Sequence, residues 1–393
     1  MKKKLLFVIP SLEIGGAEKS LINLLELMDY DKYEVDLFLL TKKEYADVVP
    51  KQVNMVSHSE DFVNFSKGLL SACIQFLKQR KFSLLLSRII FSIINRILPT
   101  NKAEQYSWLF LRKSIGVLPQ QYDVAIGYLE KSSIYLAVDC AIASKKIGFI
   151  RVNYEALNLN RNFDLKYFNQ LTYLCANGQK SYHILKKNFP TSKFDIKLIY
   201  NSTNKNKIQR LQKEKLEVAT TNSLVSVGRL HPQKGYDLTI ETAKQLVIRN
   251  VDFKWYIVGD GPQKEELLKL IRDAGLTNQV FLTGEKKNPY PYMANCNIYV
   301  QTSYYEGRSN TILEAMLLGR PIVATNFESV ADLITCPAEG MIVDMSANEI
   351  ADAIQYLFDN PSIRQSMSDH LLQKKNLSSD SLKTFYDLLE ENI

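Results

Sequence analysis

Cysteine is sparse in this chain: five residues in 393 (Cys73, Cys140, Cys175, Cys296, Cys336), with no close pair among them. That spacing indicates neither a disulfide framework nor a zinc site, and a reducing cytoplasm is the compartment that fits. Histidine is scarcer still. His58, His183, His231 and His370 show no metal-ligand spacing, and none is placed by sequence beside a candidate nucleophile. The full Gly-x-Gly-x-x-Gly fingerprint of dinucleotide binding is missing, which disfavours hydride transfer. There is no low-complexity tract. Met1 to Lys4 followed by Leu5 to Pro10 imitates the opening of a signal peptide. The apolar run is too short for one, however, and ends in Pro10 and Ser11, so a buried first strand is the better reading.

Acidic residues are absent from one long segment. Residues 67 to 102 hold Lys67, Lys78, Arg80, Lys81, Arg88, Arg96 and Lys102 and not one Asp or Glu, among many Leu, Ile and Phe. No uncharged stretch there reaches the roughly 18 residues that cross a bilayer. Two readings stay open. The segment lies in the surface of an anionic membrane, giving peripheral association at the inner face of the plasma membrane, or it forms a pair of core-packed helices with solvated basic faces. Nucleic acid is not expected as a partner, because no binding motif accompanies the charge.

What is present is an ordinary globular composition, 46% hydrophobic and 23% charged with a net charge of +7. The length implies about two domains, since single cores stop growing near 250 to 300 residues. Strand and helix alternate, twice. Leu5 to Ile9 is an unbroken apolar run of the kind found in parallel strands covered on both faces, and Gly15-Gly16 then opens a helical period through Leu21, Leu24, Leu25 and Met28. Val35 to Leu40, Val124 to Gly127, Ile147 to Ile150, Thr172 to Ala176 and Leu198 to Tyr200 continue the first set of strands. Leu224 to Val227, Trp255 to Val258, Val280 to Leu282, Ile298 to Gln301 and Ile322 to Ala324 make the second. The expected organisation is a first domain at 1–200, a second at 201–378 and a C-terminal helix at 379–393 that returns to the first.

Three loops carry candidate chemistry. Arg229 ends a strand, and Lys234 lies five residues on, just before Gly235 and a helix. A guanidinium fork and an ammonium converging on one loop suit the charge that builds on a departing diphosphate. Glu306-Gly307-Arg308-Ser309-Asn310-Thr311 follows another strand and leads into a helix. Ser309, Asn310 and Thr311 are cap-forming types, Gly307 removes a side chain where a ligand would approach, and the helix start offers amides to anionic or sugar oxygens. Glu306 and Glu314, if on one helix, stand about 12 Å apart along the axis and about 80° around it. That excludes one shared metal ion and suits two parts of an extended ligand; a loop position for Glu306 would shorten the separation. Gly15 and Gly16, at a strand-to-helix turn, permit close backbone approach.

Together, Gly15-Gly16-Ala17-Glu18, Gly228-Arg229-Leu230 with Gln233-Lys234-Gly235, Gly259-Asp260-Gly261-Pro262, and Glu306-Gly307 through Glu314-Ala315-Met316 resemble the retaining glycosyltransferases of family 4. The match is dense from about 223 to 345 and thin before it. The resemblance implies an α/β protein of GT-B type, with two Rossmann-like doubly wound parallel-sheet domains facing a cleft. It implies a nucleoside-diphosphate sugar, UDP-linked by expectation, held by the second domain, and a glycan or lipid-linked acceptor held by the first. Transfer would be metal-independent and need no cofactor, with a hexose or N-acetylhexosamine moved in cell-surface polysaccharide biosynthesis. By that likeness Arg229 and Lys234 bind the diphosphate, Glu314 the ribose, and Glu306 with residues 307 to 311 the donor sugar, while Gly16 lines the diphosphate or acceptor side. Many relatives carry a histidine where this chain reads Ile150-Arg151-Val152. Arg151 would replace it and cannot serve as a base, or would itself bind an anionic group. That departure keeps open a sugar-nucleotide-binding protein without turnover, beside the more remote alternative of a sugar-nucleotide epimerase.

Overall fold

The computed structural model describes residues 2–12, 16–41, 48–216, 222–374 and 379–391. Gly15 lies outside them. The chain divides into two compact units, Met1–Ser202 with Ser381–Ile393, and Thr203–Asp380.

The first unit runs β1 (Lys3–Ile9), α1 (Gly16–Leu27), β2 (Tyr33–Leu39), β3 (Val53–Met55), α2 (Glu60–Phe65), α3 (Leu69–Lys78), α4 (Phe82–Ile97), α5 (Thr100–Ile115), β4 (Gln121–Gly127), α6 (Ser132–Asp139), β5 (Ile142–Ile150), α7 (Arg161–Phe168), β6 (Tyr173–Ala176), α8 (Gln179–Asn188) and β7 (Asp195–Leu198). Its strands form one parallel sheet in the order β3-β2-β1-β4-β5-β6-β7. Leu5 to Ile9 are fully buried because helices cover both faces of the central strand. One face packs Leu21, Leu24 and Leu25 of α1 with the C-terminal helix; the other packs Trp108, Tyr135 and Phe163.

The second unit contains α9 (Lys205–Leu211), β8 (Ser223–Val227), α10 (Tyr236–Ile248), β9 (Lys254–Val258), α11 (Lys264–Asp273), β10 (Val280–Leu282), α12 (Tyr290–Asn295), β11 (Ile298–Gln301), α13 (Asn310–Leu317), β12 (Ile322–Thr325), β13 (Met341–Val343), α14 (Ala347–Asp359) and α15 (Pro361–Gln373). Its parallel sheet has the order β10-β9-β8-β11-β12-β13. The last helix, α16 (Ser379–Glu390), buries Phe385, Leu388 and Leu389 in the first unit's core. Lys145 donates to the carbonyls of Leu388 (2.8 Å) and Glu391 (2.5 Å), supplying donors that the end of a helix lacks and a positive charge its dipole favours.

Both sheets reverse direction of growth once. In the first this occurs between β1 and β4, in the second between β8 and β11, and at such points the loops leaving adjacent strands diverge and open a crevice.

The helices α3 and α4 are not core elements. Phe65, Ala72, Phe76 and Leu84 form a small cluster of their own, and the rest of the hairpin's apolar surface is largely open. No helix among the described residues is long and apolar enough to cross a membrane.

Candidate functional site

In the second unit the loops after β8 and β11 meet at the reversal point. A short helical turn, Pro232–Lys234, follows β8, and Gly235 closes it with φ +62°. Glycine is required there: a Cβ would stand 2.2 Å from the carbonyl oxygen of Thr302. The tight approach fixes the register of the two loops, with Tyr304 N donating to Gln233 O at 2.9 Å and Thr302 Oγ1 to Lys234 O at 3.1 Å. Lys234 is thereby aimed at Glu306, and the two form an ion pair whose side chains are mostly buried.

Glu306 sits in the loop before α13, not on the helix, so the straight-helix separation from Glu314 does not apply. Its Oε1 also accepts from Gln301 Nε2 (3.2 Å) and Ser303 Oγ (3.0 Å), and its Oε2 from Gln233 Nε2 (3.4 Å). Gln301 ties this carboxylate to the helix start. Its Oε1 accepts from Ser309 Oγ at 2.8 Å and Thr311 Oγ1 at 3.1 Å, and Ser309 is the N-cap of α13, accepting from Ile312 N at 3.2 Å. Glu314, one turn into α13, is buried and accepts from Tyr290 Oη at 3.3 Å. Gly307 is exposed, while Arg308 and Asn310 are half-buried. Burial drives the Tyr236 phenol far above its usual range, so it stays a neutral donor to Gly228 O at 3.2 Å beneath Lys234.

Arg229 is exposed, and its guanidinium makes no hydrogen bond or ion pair with any described residue. Gly259 and Gly261 have a packing role: a Cβ at Gly259 would lie 1.9 Å from Gly228 O, and one at Gly261 would lie 2.4 Å from Leu230 O. They let the turn after β9 rest on the backbone that carries Arg229.

Two candidates lie in the first unit. Gly16 is the exposed first residue of α1. Arg151, just past β5, is 8% exposed and lies 3.7 Å over the Tyr128 ring. It donates to Tyr128 O (3.0 Å), Asn201 Oδ1 (2.5 Å) and Ser20 Oγ (3.3 Å). Its charge is thus held inside the unit's own packing.

Sequence spacing missed Gln301 as the hub of the network. The signal was present: a polar amide closes the otherwise apolar strand Ile298-Tyr299-Val300 at the sheet's carboxyl edge. Spacing also missed that Cys336, Glu339 and His370 converge, their ligand-type atoms lying within 4.8 Å of one another. Glu339 Oε1 already receives Lys374 Nζ at 2.5 Å, and its Oε2 the amide of Thr335 at 2.8 Å. That carboxylate is neutralised by the chain itself.

Residues 207–371 match the family described as Glycosyl transferases group 1. Along 97% of this chain and 99% of its own, the N-acetylgalactosamine-N,N'-diacetylbacillosaminyl-diphospho-undecaprenol 4-alpha-N-acetylgalactosaminyltransferase of Campylobacter jejuni is 24% identical. The poly(ribitol-phosphate) alpha-N-acetylglucosaminyltransferase of Staphylococcus aureus is 31% identical over 43% of this chain and 34% of its own. Among solved structures, Anabaena HepE in complex with UDP-glucose superposes with a TM-score of 0.68 at 18% identity, covering 98% of each chain. S. aureus TarM reaches 0.70 at 16% identity, covering 100% of this chain and 99% of its own. The fold is GT-B. The protein is a glycosyltransferase, and the group 1 signature lies across the unit that holds the Lys234–Glu306 site.

Proposed function

We propose that this glycosyltransferase moves a hexose or N-acetylhexosamine from a UDP-sugar to a hydroxyl of a polysaccharide or lipid-linked glycan, with retention of anomeric configuration and without a metal ion. The observation that carries the reading is the Lys234–Glu306 pair at the second sheet's reversal point, held by the chain's own Gln301, Gln233 and Ser303. Donors and charges fixed in advance stabilise a developing charge without reorganising during the reaction.

In this reading the Lys234 ammonium and the Arg229 guanidinium take the diphosphate. Arg229, exposed and engaged with no described residue, has its donors available. As the bond between the anomeric carbon and the diphosphate oxygen breaks, these cations offset the charge left on the phosphate. Glu306 accepts from donor-sugar hydroxyls, with the amides at the start of α13 and residues 307 to 311 beside it, while Glu314 serves the ribose. Gly16 and the loops at the first sheet's reversal point would serve the acceptor side. The similar proteins named for alpha linkages and for diphospho-undecaprenol or ribitol-phosphate acceptors support the acceptor class and retention, and the UDP-glucose complex supports the carrier. Arg151, the residue that keeps open a protein without turnover, is engaged within the first unit; tight donor binding with neither transfer nor hydrolysis would select that reading.

The test is turnover of a panel of UDP-sugars by the parent and by Lys234→Ala. The expected loss in kcat is about 10²- to 10³-fold, the scale of one preorganised electrostatic donor removed. Chelator should leave the parent's rate unchanged, and the product anomer read by NMR should match the donor's. Undiminished turnover by Lys234→Ala would remove the assignment.

A further inference from the structure

Apolar exposure in this protein is concentrated. Of 23 large apolar side chains exposed among the described residues, nine fall within residues 69–97. Leu70, Ile74 and Leu77 on α3, and Phe82, Leu86 and Ile97 on α4, are each more than half exposed. Their spacing is helical, three or four residues apart on α3 and four then eleven on α4, so each helix turns one continuous stripe outward. The opposite side of the hairpin is anchored: Ala72, Phe76 and Leu84 pack on Phe65, and Arg88 lies over the rings of Phe65 and Phe91 while donating to Lys67 O at 2.9 Å. The hairpin is therefore a built element with a covered inner face and an apolar outer one.

The charges around the stripe divide into two sets. Lys81 is paired with Asp61 at 2.5 Å, and Glu60 accepts from Gln79 at 2.8 Å. Lys78, Arg80 and Arg96 are exposed, and their side chains make no ion pair or hydrogen bond with any described residue. No acidic residue lies between 67 and 102 to meet them. The stripe thus carries a fringe of uncommitted cations.

We propose that the outer face of the α3–α4 hairpin lies in the surface of an anionic lipid bilayer, with the six apolar side chains among the acyl-chain ends and Lys78, Arg80 and Arg96 at the headgroups. The longer helix, 16 residues, is about 24 Å long, short of the ~30 Å hydrocarbon layer, so it lies in the plane instead of crossing. A second copy of the chain suits this face less well: pairing identical stripes would bring like charges together with no carboxylate of the segment between them. The inference stands apart from the transfer reading, since lipid binding is measured with neither donor nor acceptor present.

Flotation of the full chain with vesicles of phosphatidylglycerol and phosphatidylethanolamine, against phosphatidylcholine alone, tests it. The parent should float with the anionic vesicles, less as salt rises, and far less with phosphatidylcholine. Lys78→Gln, Arg80→Asn and Arg96→Gln together should lower partition about 100-fold at low salt, roughly five-fold for each cation near the surface. Asparagine is chosen at 80 because that residue holds φ 56°. Leu70→Ser, Phe82→Ser and Ile97→Ser together should abolish flotation with circular dichroism and melting temperature unchanged, since all three side chains already face outward. Two results overturn the proposal: a parent that stays unbound to anionic vesicles, or a concentration-dependent dimer in sedimentation velocity that the serine variant dissolves, which would make the face an interface between copies.

Discussion

At the scale of single residues, the chain's charges fall into those the fold consumes and those it leaves. Arg151 is consumed by ring stacking and by hydrogen bonds to Tyr128, Asn201 and Ser20, whereas Arg229 is left with its fork open. Sequence alone does not tell which of the two is consumed, because an arginine at a strand end reads the same whether its side chain turns inward or outward. Glu339 is consumed as well, and the environment says how. Burial alone would push its carboxyl up, but Lys374 and the amide and hydroxyl of Thr335 together outweigh it and hold the carboxyl below the usual range. A depressed carboxyl binds its proton less readily folded than unfolded, so its stabilisation is complete above the ordinary carboxylate pKa, near ~4.3, and fades as pH falls through the lowered value. Glu339→Gln should therefore flatten the acid limb of a stability-versus-pH curve measured by urea denaturation while costing stability at pH 7. A parent and variant whose curves stay parallel from pH 7 to the acid limb would show that Glu339 is not the group responsible.

At the scale of elements, most strands were legible from their apolar runs. Ile298 to Gln301 and Val280 to Leu282 are read with the limits they have in the structure, and Leu5 to Ile9 loses only its two leading lysines. β3 and β13, both three-residue edge strands, were not read: only Val53 of the first is buried, and no residue of the second is. β7 lies three residues earlier than the apolar run suggests, since Lys197 and Asp195 pair in the ladder while Ile199 and Tyr200 leave it. The site loops were legible through their glycines and charges, but the network between them was not, because Gln301 acts through partners 8 and 10 residues away on the next helix. That network yields a prediction at the same scale. Gln301→Leu removes the acceptor shared by the Ser309 and Thr311 hydroxyls, of which one can still donate to the other, and removes one donor from Glu306. Each buried group so stranded costs about 1–3 kcal/mol. Glu306 is then held by Lys234, Ser303 and Gln233 without its tie to β11. The expected result is a rise in KM for the UDP-sugar with a fall in kcat, and partial restoration by Gln301→Glu only at low pH, where a protonated carboxyl can donate. Kinetics of Gln301→Leu equal to the parent's would mean the hub holds the loop without influencing the ligand.

At the scale of the whole molecule, the two units are folded differently from the order of the chain, because the last helix belongs with the first residues. Residues 381–393 count with 1–202, and the chain passes through the entire second unit before returning. The return is anchored at one aromatic cluster and one charged end. Phe385 lies 6.2 Å from the ring of Phe7 and 6.4 Å from that of Phe149, Tyr386 stacks on Tyr33 at 5.5 Å, and Lys3 pairs with Glu390 at 2.5 Å. The exposed ion pair contributes little, about 0–1 kcal/mol, whereas emptying the Phe385 site should cost about 3–5 kcal/mol, the range for a large core aromatic replaced by alanine. Since Phe385 is 1% exposed and packs in the first unit's core cluster, that cost should fall on the first unit. Calorimetry of Phe385→Ala should resolve two unfolding transitions, the lower moved down by several degrees. Saturating UDP should raise the other, the one that contains Lys234 and Glu306, as a ligand that binds only a folded unit must. If both transitions fall together in the variant, or UDP moves the transition that Phe385→Ala moves, the nucleotide is not held by residues 203–380 alone and the division of labour between the units is wrong.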